Sequence, residues 1–220
     1  NSQARRIATR SWQAQEDRST QPSMGLIDWL RRRRFRSAAS SMLRDSQKAA
    51  LMQLERRLRQ EGLRHALIGG VAMTIHGAVR STKDVDYLVD GEREGDTHTL
   101  FQGLGFVTLQ RSPDVSSYLI GQLRVDVLYA RRPHSRAMLE RAVTARLDGV
   151  ELFAVRPDDI VGLKLQALMH QPQRHQDRAD IVTLFELHGP AMDMDQLRTY
   201  ARILGMETVL DELQNSARPR

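Results

Sequence analysis

The chain of 220 residues contains no cysteine. Disulfides, thiolate metal sites and cysteine nucleophiles are therefore excluded. No run of about 18 apolar residues occurs, so no membrane-spanning helix is expected. Residues 1–30 lack the continuous apolar stretch of a signal peptide, and the expected setting is the cytoplasm. The seven histidines are scattered without metal-ligand spacing. His65 and His76 flank a Gly-Gly pair and are read as structural. What is present is a 40% hydrophobic fraction, enough to bury an ordinary core.

The net charge of +6 is unevenly spread. Residues 1–48 hold 11 Lys/Arg against 4 Asp/Glu, and the remainder holds 22 against 23. The basic character thus belongs to the N-terminal segment, which argues against a wholly basic nucleic-acid-binding domain. Residues 1–44 are rich in Arg and Ser, with Arg31 to Arg34 in a run followed by Phe35 and Arg36. They are expected to form a disordered or loosely helical arm. An electrostatic contact with RNA is one reading of it, and a solvated tail is the reading that composition favours.

Structure is expected from about Asp45. Ala49, Leu51, Met52, Leu54, Leu58 and Leu63 recur at helical spacing, which predicts an amphipathic helix ending at Gly62. The apolar run Ala66-Leu67-Ile68 leads into Gly69-Gly70 and a second helix with Val71, Ala72, Ile75 and Ala78 as its apolar positions. The β-rich alternation over 85–89 predicts a strand. A helix is expected over 97–103, then strands over 106–109, 117–120 and 123–129, with Gly121-Gln122 as a tight turn. The last of these strands puts Leu123, Val125, Val127 and Tyr129 on one face and Arg124, Asp126 and Leu128 on the other. A helix over 134–142 and a strand over 150–155 follow. From Pro157 the pattern is helical, with helices expected over 158–170, 177–188, 193–203 and 206–214. The fold class is therefore α/β (α+β). Its divisions are a basic arm over 1–44, a core over 45–156 and a helical region over 157–220.

Asp84 and Asp86 stand two apart on a predicted strand, so both side chains point to one face. Such a pair, about 7 Å apart along the chain, can share metal ions. Hard oxygen ligands suit Mg²⁺, above all when substrate phosphates complete the coordination. Asp126 is the natural third carboxylate, because a mid-strand charge is costly without a metal or a partner. An isolated D-x-D pair is weak evidence, and its surroundings strengthen it. Gly69 and Gly70 allow backbone N–H groups to approach phosphate closely. Arg80-Ser81-Thr82-Lys83 adds phosphate-binding donors.

The segment "LIGGVAMTIHGAVRSTKDVDYLVD" followed by "RVDVLYA" resembles the nucleotidyltransferase superfamily with the DNA polymerase β-like core. The Arg-x-Thr-x-Asp-x-Asp form is most like its abortive-infection and toxin–antitoxin branch. The resemblance covers about residues 63–188. It also takes in Lys164 in "IVGLKLQALMH" and Asp177, Arg178 and Asp180 in "RHQDRADIVTLF". It implies a core of mixed sheet with flanking helices, and in-line attack on the α-phosphate of a nucleoside triphosphate. Asp84, Asp86 and Asp126 would hold Mg²⁺ (or Mn²⁺) and carry catalysis. Gly69, Gly70, Arg80, Thr82, Lys83 and Lys164 would contact the nucleotide, ATP being the expected type. The acceptor implied is a hydroxyl of tRNA, other RNA or a protein, and the toxin-like branch adds an antitoxin-like partner. Read from the residues alone, Lys164 could equally be a solvated lysine, and Asp177, Arg178 and Asp180 an ion pair at a helix start. Two alternatives stand beside this reading: an antibiotic-type adenylyltransferase, and a catalytically inactive binding module.

Overall fold

The computed structural model describes residues 45–79, 82, 84–147 and 150–217. The arm over 1–44 and the donors Arg80, Ser81 and Lys83 lie outside these described residues.

The first helix, α1 (Asp45–Gln60), buries Leu51, Leu54 and Leu58 along one face. Strand β1 (His65–Ile68) is buried throughout and runs directly into the short helix α2 (Gly69–Ile75). The sequence spacing predicts a helix reaching Ala78. The helix ends at Ile75 instead, because the chain turns at Gly77 with φ +90, a conformation that suits glycine. Strand β2 (Asp84–Asp90) and helix α3 (Glu94–Gly103) follow. Next come β3 (Val107–Arg111), β4 (Val115–Ile120), β5 (Leu123–Ala130) and helix α4 (Pro133–Glu140). Strands β6 (Val143–Leu147) and β7 (Val150–Ala154) form a hairpin. β6 was not expected from the sequence. Its residues 143, 144 and 146 are exposed, so it lacks the buried alternation by which a strand is recognised.

All seven strands join one mixed sheet in the order β3-β4-β5-β2-β1-β7-β6. β1 runs antiparallel to β2 and parallel to β7, while β2 runs parallel to β5. The parallel β2–β5 pair needs a crossover, and α3, β3 and β4 supply it. The four C-terminal helices are α5 (Pro157–His170), α6 (His175–His188), α7 (Met194–Leu204) and α8 (Glu207–Ser216). Pro157 opens α5 at its first turn, beside Asp158 and Asp159, in keeping with the sequence pattern. One hydrophobic core runs from α1 through the sheet to Leu210 and Leu213 of α8.

Two buried polar knots tie the layers together. Beneath β2, the Tyr87 hydroxyl donates to Glu55 Oε1 at 2.5 Å, and His65 Nε2 lies 3.0 Å from Glu55 Oε2. His65 Nδ1 donates to the Leu63 carbonyl at 2.7 Å, which makes this histidine a structural bridge between α1 and β1. Burial and the adjacent Glu55 push the Tyr87 hydroxyl well above its ordinary pKa. At the other end of the fold, Arg141 and the Tyr200 hydroxyl both donate to Asp159 Oδ1, each at 2.6 Å. The Tyr200 ring covers Gly162, where an added Cβ would meet it at 2.5 Å.

Tyr87→Phe removes one donor from the fully buried Glu55. Chemical denaturation is expected to show a loss of about 1–3 kcal/mol. A variant as stable as the parent would show that water replaces the hydroxyl.

Candidate active site

β2 is amphipathic across its thickness. Val85, Tyr87 and Val89 are fully buried, while Asp84 and Asp86 are half-buried on the opposite face. β5 repeats the pattern, with Leu123, Val125 and Val127 buried, Arg124 exposed and Asp126 half-buried. The parallel register sets Asp86 opposite Asp126 and Asp84 opposite Arg124. Three carboxylates and one guanidinium therefore share one face of two neighbouring strands. On the far side of β5, Ser117 of β4 is the partner of Asp126.

The Gly-Gly pair reaches this face from β1. Gly69 has φ +61, and a Cβ placed there would lie 2.1 Å from Asp86 Oδ2. A Cβ on Gly70 would lie 2.7 Å from Cβ of Thr82. Both glycines are thus required by the close approach of a neighbouring side chain. Thr82 is fixed in turn, its hydroxyl donating to the Asp84 carbonyl at 3.0 Å. Gly69, Gly70, Thr82, Asp84, Asp86 and Asp126 are gathered at one edge of the β1–β2–β5 strip.

Arg124 Nε donates to Asp126 Oδ1 at 3.1 Å. This hydrogen bond, then the charge of Asp126 and those of Asp84 and Asp86, hold the guanidinium above its ordinary pKa. Among the described residues, no three His, Asp or Glu side chains close into a metal cage. The donor set nonetheless fits a hard divalent cation. It offers carboxylate oxygens on one half-open face, beside the Gly69 backbone.

The sequence matches no protein-family model, and no curated protein matches it. Solved structures do resemble it. The antibiotic-resistance factor ANT(2'')-Ia in solution matches with a TM-score of 0.58 at 14% identity, covering 80% of this chain and 100% of that one. An antigenic nucleotidyltransferase-like protein from Paracoccidioides brasiliensis matches with a TM-score of 0.51 at 18% identity, covering 78% and 93%. ANT(2'')-Ia in complex with adenylyl-2''-tobramycin gives a TM-score of 0.50 at 16% identity, covering 79% and 97%. The chain shares the fold of these solved structures.

Away from the carboxylate face, Lys164 sits in a cluster of its own. Its ammonium is buried between α5 and α6, 2.8 Å from Asp177 Oδ1 and 2.5 Å from Asp180 Oδ2. Arg174 also pairs with Asp177, and Gln176 Nε2 donates to Asp180 at 2.8 Å. Asp177 and Asp180 are three apart on α6, so both face α5. Arg178 faces elsewhere and pairs with Glu212. Asp177 and Asp180 thus take two of the three donors of the Lys164 ammonium. Arg124 is the neighbour that the sequence reading left unassigned, although its place on the Asp126 face was visible from the strand alternation.

His76, just after α2, is structural, in keeping with the absence of metal-ligand spacing among the histidines. Its Nε2 donates to the Val155 carbonyl at 2.7 Å, and His188 Nε2 donates to the His76 carbonyl at 2.7 Å. These bonds lock the glycine-bearing helix to the start of the C-terminal region. Burial lowers the His76 pKa to about 4, with nearby His188 adding to the shift.

Two outcomes are expected. Gly69→Ala forces either Asp86 or the backbone to move, and its positive φ alone costs about 1 kcal/mol. Its melting point should fall, whereas an unchanged melt would contradict the packing of Asp86 on Gly69. His76 stays neutral in the fold but protonates near pH 6.5 once unfolded. Its contribution is complete above pH 6.5 and is lost as pH falls towards about 4. Denaturation between those limits should show a loss on the order of 3 kcal/mol that His76→Gln removes. A parent and variant with the same pH dependence would refute this role.

Proposed function

We propose that this chain is a metal-dependent nucleotidyltransferase that moves a nucleoside monophosphate from a triphosphate, ATP being the first candidate, to an acceptor hydroxyl. The observation that carries this reading is the register of Asp86 against Asp126 on parallel strands, with Asp84 on the same face and Gly69 packed on Asp86. Asp84, Asp86 and Asp126 would hold Mg²⁺ or Mn²⁺. Such ions supply charge neutralisation at the phosphates and lower the pKa of a bound hydroxyl.

The remaining work falls to the chain itself. The Gly69–Gly70 turn would present its backbone to the triphosphate, with Gly69 half-buried and Gly70 buried against Thr82. Thr82, tethered to the Asp84 carbonyl, offers its hydroxyl beside them, and Arg80 and Lys83 add cationic donors to the same segment. Asp126 is the carboxylate assigned to the acceptor hydroxyl and its proton. No side-chain nucleophile is needed, since transfer of this kind rests on positioning and electrostatic stabilisation.

The acceptor proposed is a hydroxyl of tRNA, other RNA or a protein, in the manner of a toxin held by an antitoxin-like partner. This follows the Arg-x-Thr-x-Asp-x-Asp form of the site segment. A second reading is a small antibiotic-type acceptor. The match to ANT(2'')-Ia over the whole length of that chain favours it.

Purified protein with Mg²⁺ and each α-labelled nucleoside triphosphate, offered total tRNA or an aminoglycoside, separates these readings. Label is expected on one acceptor class. Asp86→Asn or Asp126→Asn should reduce transfer by roughly a hundredfold or more while the cooperative melt persists. Full activity in either variant would refute the metal-site assignment. Absence of both transfer and nucleotide binding would leave only a binding module.

A further inference from the structure

Four side chains stand at the corners of a square on the half-open face of β2 and β5. Asp84 lies opposite Arg124, and Asp86 lies opposite Asp126. The two residues on each strand are two apart and share that face. Three corners are carboxylates, and the fourth is a guanidinium that the proposed chemistry does not use. Arg124 is 47% exposed, so solvent gives it room to leave, yet it stays bonded to Asp126 at 3.1 Å. An exposed pair of this kind contributes little to holding a fold together. Its larger consequence is local, because it places a positive charge where three carboxylates would otherwise face one another.

We propose that Arg124 is the internal counter-ion of this site: a positioning residue that holds Asp126 while no divalent ion is bound and yields it when one arrives. The inference rests on the nucleotidyltransferase reading and adds a competition to it. The guanidinium and the metal ion draw on the same Asp126 carboxylate. A positive charge held on the same carboxylate that a divalent ion would use, even in a water-like dielectric, opposes binding by on the order of tenfold. Lysine retains the charge but loses the planar donor geometry of arginine. It therefore competes with the ion without fixing Asp126.

The test is a Mn²⁺ titration followed by the electron paramagnetic resonance of the free aquo ion. Parent, Arg124→Gln and Arg124→Lys are compared, with and without a non-hydrolysable ATP analogue. Without nucleotide, Arg124→Gln is expected to bind Mn²⁺ roughly tenfold more tightly than the parent, and Arg124→Lys to fall between them. Unchanged or weaker binding in Arg124→Gln overturns the proposal. A merely structural arginine would give that weaker binding, since its loss would loosen the ligands. If Arg124→Gln does not fold, the comparison of Arg124→Lys with the parent decides, and identical affinities overturn the proposal. Failure of the parent to bind Mn²⁺ even with the analogue would strike the nucleotidyltransferase reading instead. Binding by the parent with no change in the variants would strike only the role of Arg124.

Discussion

The parallel pairing of β2 with β5 is the constraint on which the site depends. It alone sets Asp86 against Asp126, since Asp126 follows Asp86 by 40 positions in sequence. A slip of one residue would turn Asp126 to the buried face and Val125 or Val127 to the open one. The opposite face forbids that slip. Val85, Tyr87, Val89, Val125 and Val127 are all fully buried there. Burying each such side chain contributes about 1.5–3 kcal/mol, so the register of the carboxylates is fixed by the apolar residues behind them.

The same arrangement concentrates negative charge, which a fold does not favour without compensation. Two features answer it. The face is only half-buried, so water screens the carboxylates. Arg124 occupies the fourth corner, with its charge held in place by the three acids around it. The Gly69–Gly70 turn then brings backbone, without side chains, against Asp86. A site built in this way is strained towards positive partners on one side and open to anionic ones on the other. That duality suits a metal-bound triphosphate. The C-terminal helices are joined to it through His76, His188 and Val155, so the glycine helix and the helical region are mechanically linked.

Much of the core was legible in the sequence because the physics there is local. The alternation of β2 and β5, the Gly-Gly entry to α2, and Pro157 at the start of α5 each follow from neighbouring residues. What was illegible was long-range or solvated. β6 is an exposed edge strand, so its pattern carries no burial signal. The partner of Lys164 depends on how α5 meets α6, and no spacing within either helix reveals a buried ion cluster. The three aspartates could be placed on strand faces from the sequence, but the register that aligns two of them is a property of the folded crossover. Arg124 shares that face in the sequence alternation, but its importance lies in Asp84 and Asp126 together.

The most direct measurement is a crystal structure grown with Mn²⁺ and a non-hydrolysable nucleoside triphosphate, with manganese located by its anomalous scattering. Manganese at Asp84, Asp86 and Asp126, with the triphosphate against Gly69 and Gly70, is the expected result. A triphosphate bound elsewhere, or manganese away from these three carboxylates, would contradict the assignment of this face as the active site.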